Sequence, residues 1–159
     1  MELKWEYIDP LESETLINEF EELVGYKFVD SYRQCVVQNN GGCPNKDVFD
    51  TDVAEGRCIG YLFSFNKNDK FSVWDSIDID KSNIEVAEQY GVSGEFERLK
   101  YIFDRYVAFA DSPAGDDIAF DKTDDSVVFI DHETLEIEKI ANSFDEFLSC
   151  LYEFEDDEY

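Results

Sequence analysis

Between Tyr106 and Leu151 the chain switches from one hydrophobic period to another, and that switch limits its possible folds more than any other feature. Three short apolar runs, Tyr106–Ala110, Ile118–Phe120 and Val127–Ile130, are separated by clusters of Asp, Gly, Pro, Ser and Thr. Such runs between turn-forming residues predict strands, and the short connections predict antiparallel neighbours in a meander. The spacing then becomes helical. Ser143 stands three residues before Glu146, the pattern of a capping box in which each side chain accepts from an otherwise orphaned backbone N–H. Phe144, Phe147, Leu148, Leu151 and Phe154 follow on one helical stripe. A sheet with one apolar face and a helix with one apolar stripe bury each other, which predicts an α+β architecture.

Upstream, a first helix is predicted from Asp9-Pro10-Leu11-Glu12, with Asp9 as cap, Pro10 at the first helical position and Glu12 closing a capping box. Leu16, Ile17, Phe20, Leu23 and Val24 give its buried stripe, and Gly25 suits a left-handed stop. A second helix is predicted from about Ser31 to Gln38, ended by Asn39-Asn40-Gly41-Gly42. From Arg57 to Phe65, Ile59, Tyr61, Phe63 and Phe65 alternate with Cys58, Gly60, Leu62 and Ser64, the period of a strand. Phe71 to Trp74 is its expected partner, after a turn over 66–70. Ser82 or Asn83 is expected to cap a short helix through Tyr90, with Gly91 ending it. Phe96, Leu99 and Ile102 or Phe103 have helical spacing, but the end of Glu95 to Tyr106 also suits a strand. The expected organisation is one domain over 1–152 and an acidic tail over 153–159, reading EFEDDEY, that frays.

A chain of 159 residues is the size of one domain and buries a substantial core; 14 Phe, 9 Tyr and 2 Trp argue against disorder. The formal net charge of −26 repels nucleic acid and anionic membranes and attracts basic proteins at long range. No apolar run approaches the length of a membrane span, and the Met-Glu-Leu-Lys-Trp-Glu start does not read as a signal peptide. Cys35, Cys43, Cys58 and Cys150 include no Cys-x-x-Cys pair and no neighbouring His, so reduced, packed thiols in the cytoplasm are expected in place of a zinc site. The spacing leaves a disulfide open.

Catalytic constellations are thin. His132 is the single histidine, sits in the turn Asp131-His132-Glu133, and has no nucleophile motif beside it, so a structural or surface role is expected. Asp116, Asp117, Asp121, Asp124 and Asp125 crowd two adjacent turns, yet neither they nor Asp78-Ile79-Asp80-Lys81 meet the EF-hand rule; solvated turn residues are expected, with no metal and no cofactor. Gly41-Gly42 lacks the Lys-Ser or Lys-Thr of a P-loop, Gly91 to Gly94 lacks a dinucleotide fingerprint, and Lys67 and Lys70 are isolated. Direct nucleic-acid binding is therefore not expected. The aromatics from Tyr61 to Trp74 are expected in the core. A binding protein, not an enzyme, fits this set.

The C-terminal half carries Phe109-Ala110-Asp111, Gly115-Asp116, Phe120-Asp121, Val127 with Asp131-His132-Glu133, then Ile140-Ala141, Ser143-Phe144 and Glu146-Phe147-Leu148. The N-terminal half carries Ile17, Phe20-Glu21, Leu23 and Gly25, then Tyr32-Arg33, Asn40-Gly41-Gly42 and Pro44. In this order the residues resemble the SUKH superfamily of SMI/KNR type, which includes yeast cell-wall-synthesis regulators and many bacterial immunity proteins. Val29 departs from a proline frequent there, and the stretch from Asp47 to Leu99 matches poorly. The resemblance implies a single domain with a central, mostly antiparallel sheet packed by N- and C-terminal helices. It also implies a non-enzymatic immunity protein that binds and inhibits a cognate bacterial toxin domain, expected to be a basic nuclease, by stoichiometric contact. The alternative it implies is a regulatory or scaffold protein with an endogenous partner. A third reading, a small hydrolase built on the Asp cluster, needs a cleft, a bound metal or raised carboxylate pKa values. From charge density, the expected contact residues are Asp116, Asp117, Asp124 and Asp125, then Asp78 and Asp80.

Overall fold

The computed structural model describes residues 3–154. In chain order its elements are β1 (Trp5–Glu6), α1 (Thr15–Val24), α2 (Asp30–Asn39), β2 (Cys43–Pro44), β3 (Val48–Phe49), β4 (Arg57–Cys58), α3 (Val73–Tyr90), α4 (Glu95–Arg105), β5 (Tyr106–Asp111), β6 (Asp117–Asp121), β7 (Val127–Ile130), β8 (Ile137–Ala141) and α5 (Phe144–Ser149). The last four strands form one antiparallel sheet in sequence order, while β1–β2 and β3–β4 are short ribbons beside it. This is the expected α+β fold with a central antiparallel meander.

Register decides which residues share a face. Val107 pairs with Phe120, Phe120 with Val127, Ala110 with Ile118, and Ile118 with Phe129. All of these side chains enter the main core. There Phe109 stacks on Phe120 with ring centroids 4.4 Å apart, and Tyr32 of α2 meets Phe109, Phe120 and Phe144 edge-on at 5.1–5.4 Å. Such aromatic pairs add stabilisation beyond area burial, of about 1 kcal/mol each. The flanking helices deliver their stripes as the sequence spacing predicts. Ile17 and Phe20 are buried from α1, which Gly25 ends at φ 65° with its N–H on the Glu21 carbonyl. Ser143 Oγ accepts from the Glu146 N–H (3.1 Å) to start α5, which buries Phe144 and Phe147.

Several predicted elements are corrected. The Asp9–Glu12 stretch does not start a helix, because two buried asparagines claim its backbone. Asn40 takes the Asp9 carbonyl, and Asn66 takes the Pro10 carbonyl and the Glu12 N–H. Of the strand predicted from Arg57 to Phe65, only Arg57–Cys58 forms; the rest runs irregularly beside β5, with Gly60 N–H on the Asp111 carbonyl and Phe63 N–H on the Phe109 carbonyl. Phe71 to Trp74 is not a strand. Ser72 Oγ accepts from the Asp75 N–H (3.1 Å) and opens α3, which passes through Ser82 and Asn83 without a break and stops at Gly91 as predicted. Phe63 and Phe65 are in the core, but Tyr61 and Phe71 are exposed. Helix α5 ends before Phe154, which is exposed instead of joining the stripe, because Tyr152 turns away to bridge Val48. The predicted tail lies outside the described residues from 155 onward. Among the described residues all four cysteines are unpaired.

Candidate functional site

The second face of the sheet is built differently. Its buried residues are Ala119, Val128 and Ile130, joined by Ala108, Tyr106, Ile137 and Ile102. The α3–α4 hairpin lies over this face but fits it loosely: α4 buries no residue fully, and α3 buries only Val73 and Ala87. The short side chains of Ala108 and Ala119 do not fill the gap, and a cleft of about 780 Å³ remains between hairpin and sheet. Ile79, Ile84 and Val86 of α3 form one wall, Leu99, Ile102 and Phe103 of α4 the other, and Tyr106, Ala108 and Ile130 are the sheet's contribution. Ile79 and Val86 are 59% and 56% exposed, and Phe71, also lining the cleft, is 62% exposed. Phe71 adopts φ 59°, a left-handed conformation uncommon for an aromatic residue.

One region of the cleft is acidic. The β5–β6 register sets Asp111 directly opposite Asp117, a like-charge pair that destabilises a sheet. Asp80 adds a third carboxylate from α3. Asp111 Oδ1 accepts from the Tyr61 N–H (3.1 Å). Asp80 and Asp117 have no such help: among the described residues neither carboxylate meets a hydrogen-bond donor or an ion-pair partner. Lys122, bordering the smaller hollow beyond Asp80, donates instead to the Val24 carbonyl at 2.7 Å. The consequence is electrostatic. Burial pushes the Asp117 carboxyl up to about 7, with the charges of Asp80, Asp111 and Asp116 adding to it and His132 opposing it. Burial alone pushes Asp80 up to about 6.

Of the six predicted contact residues, the structure brings Asp80 and Asp117 together. Asp116 is buried behind them as the lock of two turns. Its Oδ1 accepts from the His132 N–H (3.0 Å) and faces His132 Nδ1 (2.6 Å), while Oδ2 accepts from Ser112 Oγ (2.9 Å). Burial works to raise the Asp116 carboxyl, but these bonds overcome it and hold it low; His132 is raised in turn, first by that hydrogen bond. Asp124 and Asp125 sit in the turn past the far end of β6. There Asp124 Oδ1 accepts from the Ser126 N–H (3.0 Å) and Asp125 Oδ1 from the Tyr26 hydroxyl (2.6 Å). Asp78 is exposed on α3. Charge density pointed to these two carboxylates but not to Asp111 or the apolar walls beside them. The signal that finds Asp111 is its place at the end of β5, one short turn before the Asp117 that must pair with it.

Asp116, Asp131 and His132 offer atoms within 4.8 Å of one another, but hydrogen bonds account for the geometry, since Asp131 Oδ1 also caps the Glu133 and Thr134 N–H groups. The cleft and its raised carboxylates meet two conditions set for a hydrolase. Among the described residues no hydrogen bond orients Asp80 or Asp117. What the pair offers is unsatisfied charge on an open apolar surface, which suits binding. Among the described residues no helix is long and apolar enough to cross a membrane.

Comparison with curated protein sequences gives no match. The sequence profile of the SMI1 / KNR4 family (SUKH-1) matches residues 12–150, a span that takes in all five helices and the whole four-stranded meander. The chain belongs to the SMI1 / KNR4 family (SUKH-1).

Proposed function

We propose that this protein is an immunity protein that binds a cognate bacterial toxin domain and inhibits it by covering it, without chemistry of its own. The family is generally known for immunity proteins that bind toxins. The observation that carries the reading in this chain is the open cleft, where apolar side chains and uncompensated carboxylates share one surface. An exposed apolar patch of this kind marks an interaction site, and half-buried charges left unpaired in the free protein find their counter-charge on a partner.

The net charge of −26 steers a basic partner toward the chain at long range. A nuclease domain suits that field, because the basic surface that holds its phosphate substrate is the surface an acidic inhibitor covers. Asp80 and Asp117 would hold the complex together, while Asp78, Asp124 and Asp125, exposed or on turns, would mainly set the association rate. Asp116 would act by keeping the turns in place. The protein would work in the cytoplasm of the toxin producer, with residues 1–152 as the binding domain.

The test is to co-purify the tagged chain with the product of the adjacent gene, at low and high salt, and to assay the partner's toxicity. A one-to-one complex that silences the partner is the expected result. Failure to form a complex with any neighbouring gene product overturns the proposal and shifts weight to an endogenous regulatory partner.

A further inference from the structure

We infer that the cleft seats an arginine side chain projected by the bound partner, with its guanidinium between Asp80 and Asp117 and its aliphatic stem along Ile79 and Ile84, the apolar cleft residues beside Asp80 on α3. The inference rests on the binding reading above and specifies what the site receives.

Three observations carry it. The first is the cavity itself: about 780 Å³, open to solvent and walled mainly by apolar side chains from α3 and α4. The second is that Asp80 and Asp117, both only partly exposed, face this space with no hydrogen-bond donor or ion-pair partner among the described residues, while Asp111, Asp116, Asp124, Asp125 and Asp131 each accept a hydrogen bond. The third is the balance of charge around the space. Asp75 and Asp80 on α3, Glu95 on α4, Asp111 and Asp117 on the sheet and Glu133 on the β7–β8 turn are acidic, against Lys70 and the half-exposed His132. A cation is what this surface lacks.

The walls select the kind of cation. A hard metal ion needs several oxygen ligands converging on one point, and among the described residues the cleft's carboxylates do not gather in such a group of three. A neutral apolar guest would bury the two carboxylates further without pairing them. A second copy of this chain brings another −26 of charge to a surface that is already acidic. A guanidinium on a three-carbon stem meets both requirements. Its five N–H donors reach more than one carboxylate, and its stem buries against the aliphatic wall.

The probe is a short blocked peptide with one arginine, titrated into the ¹⁵N-labelled full chain, beside its twin in which citrulline keeps the shape and loses the charge. The arginine peptide is expected to shift the amide signals of Asp80, Asp117, Ile79 and Ile84, with the citrulline peptide weaker by roughly tenfold or more, the loss typical of removing one side of a desolvated charge pair. Asp117→Asn is expected to weaken arginine binding to a similar degree while melting no lower than the parent. Asp124→Asn, a change at the far end of β6, is expected to leave binding unaltered. Equal affinity for the two peptides overturns the inference, as does a set of shifts centred on the Asp124 turn. The toxin complex separates the two proposals. A complex that keeps its full affinity with Asp117→Asn overturns the arginine seat and leaves neutralisation standing. Specific peptide binding in the cleft, with no toxin found, does the reverse.

Discussion

Glu138 and Asp117 lie on opposite faces of the β5–β8 sheet, the first buried and the second partly exposed, and the fold treats their carboxylates in opposite ways. On the inner face Glu138, 5% exposed, is clamped by Arg57 through Nε–Oε1 and Nη2–Oε2 hydrogen bonds of 2.7 and 2.6 Å, and Thr51 adds a third from its hydroxyl. The same guanidinium lies 4.2 Å from the centroid of the Phe129 ring. On the outer face Asp117, only two strands away, meets another acid across the sheet and no donor. Glu138 is satisfied within the folded chain and Asp117 is not, and the difference makes Asp117 a candidate for contact with a partner.

The comparison breaks most sharply with a truncation on each side. Phe120→Ala removes a fully buried ring from the stack with Phe109 and Tyr32 and is expected to cost about 3–5 kcal/mol. Leu99→Ala, in the half-open wall of the cleft, is expected to cost about 1 kcal/mol, since less area leaves water-free packing. Urea titrations of the two variants measure this. Similar losses would mean that the hairpin is as much a part of the core as α5.

The next largest effect comes from the clamp. Glu138→Ala leaves the Arg57 guanidinium without its bidentate partner against Phe129, at an expected cost of about 2–3 kcal/mol, discounted because the Arg57 side chain is 28% exposed. Thermal unfolding reads it, and a loss within error would show that the clamp fixes geometry without adding stability.

How much of this was legible depends on where the side chains find their partners. The inner face could be read, because Tyr106–Ala110, Ile118–Phe120, Val127–Ile130 and the Ser143 cap are local patterns that tertiary contacts confirm. Strand β8 was not read. Its period is masked by Glu138, which points into the protein only because Arg57, far away in sequence, neutralises it. Helix α3 was read as a strand and a shorter helix, because its opening signal is the single spacing Ser72 to Asp75 next to an aromatic run. The cleft was invisible for a related reason. It exists because two alanines on the sheet face a long hairpin, and no single segment of sequence carries that relation.

Asp117→Asn reverses the sign of the Glu138 result. An acid whose folded pKa lies above its unfolded value holds an extra proton when folded. Its stabilising contribution is complete near pH 4 and is lost as pH rises toward about 7 for Asp117 and about 6 for Asp80. His132, also raised, adds to the same trend over its own range. The free protein is therefore expected to melt higher at about pH 5 than at about pH 8, and to weaken again in stronger acid, where Asp116 and Asp121 lose the bonds that hold them low. Asparagine at 117 is expected to stabilise the free chain by about 1–2 kcal/mol at about pH 8 and to flatten the slope between these two conditions. A destabilised variant with an unchanged slope would show that Asp117 is already paired in solution, which would remove the contrast between the faces.

The smallest expected effect tests whether unsatisfied polarity by itself marks function. Tyr32 is fully buried at the centre of the inner face, and its hydroxyl has no hydrogen-bond partner among the described residues. Burial accordingly raises its pKa well above the ordinary value. Removing an unpaired buried hydroxyl relieves its desolvation cost and leaves a void no larger than one oxygen, so Tyr32→Phe is expected to be neutral or to stabilise by up to about 1 kcal/mol. Both substitutions, Tyr32→Phe and Asp117→Asn, delete a polar group that the fold leaves without a partner. The first lies under α5 and the rings of Phe109 and Phe144, closed to any ligand; the second opens on the cleft. Arginine-peptide affinity should therefore ignore Tyr32→Phe and fall with Asp117→Asn. If both variants weakened binding alike, the cleft would be responding to the rigidity of the whole sheet, and its carboxylates would have no special claim on the guest.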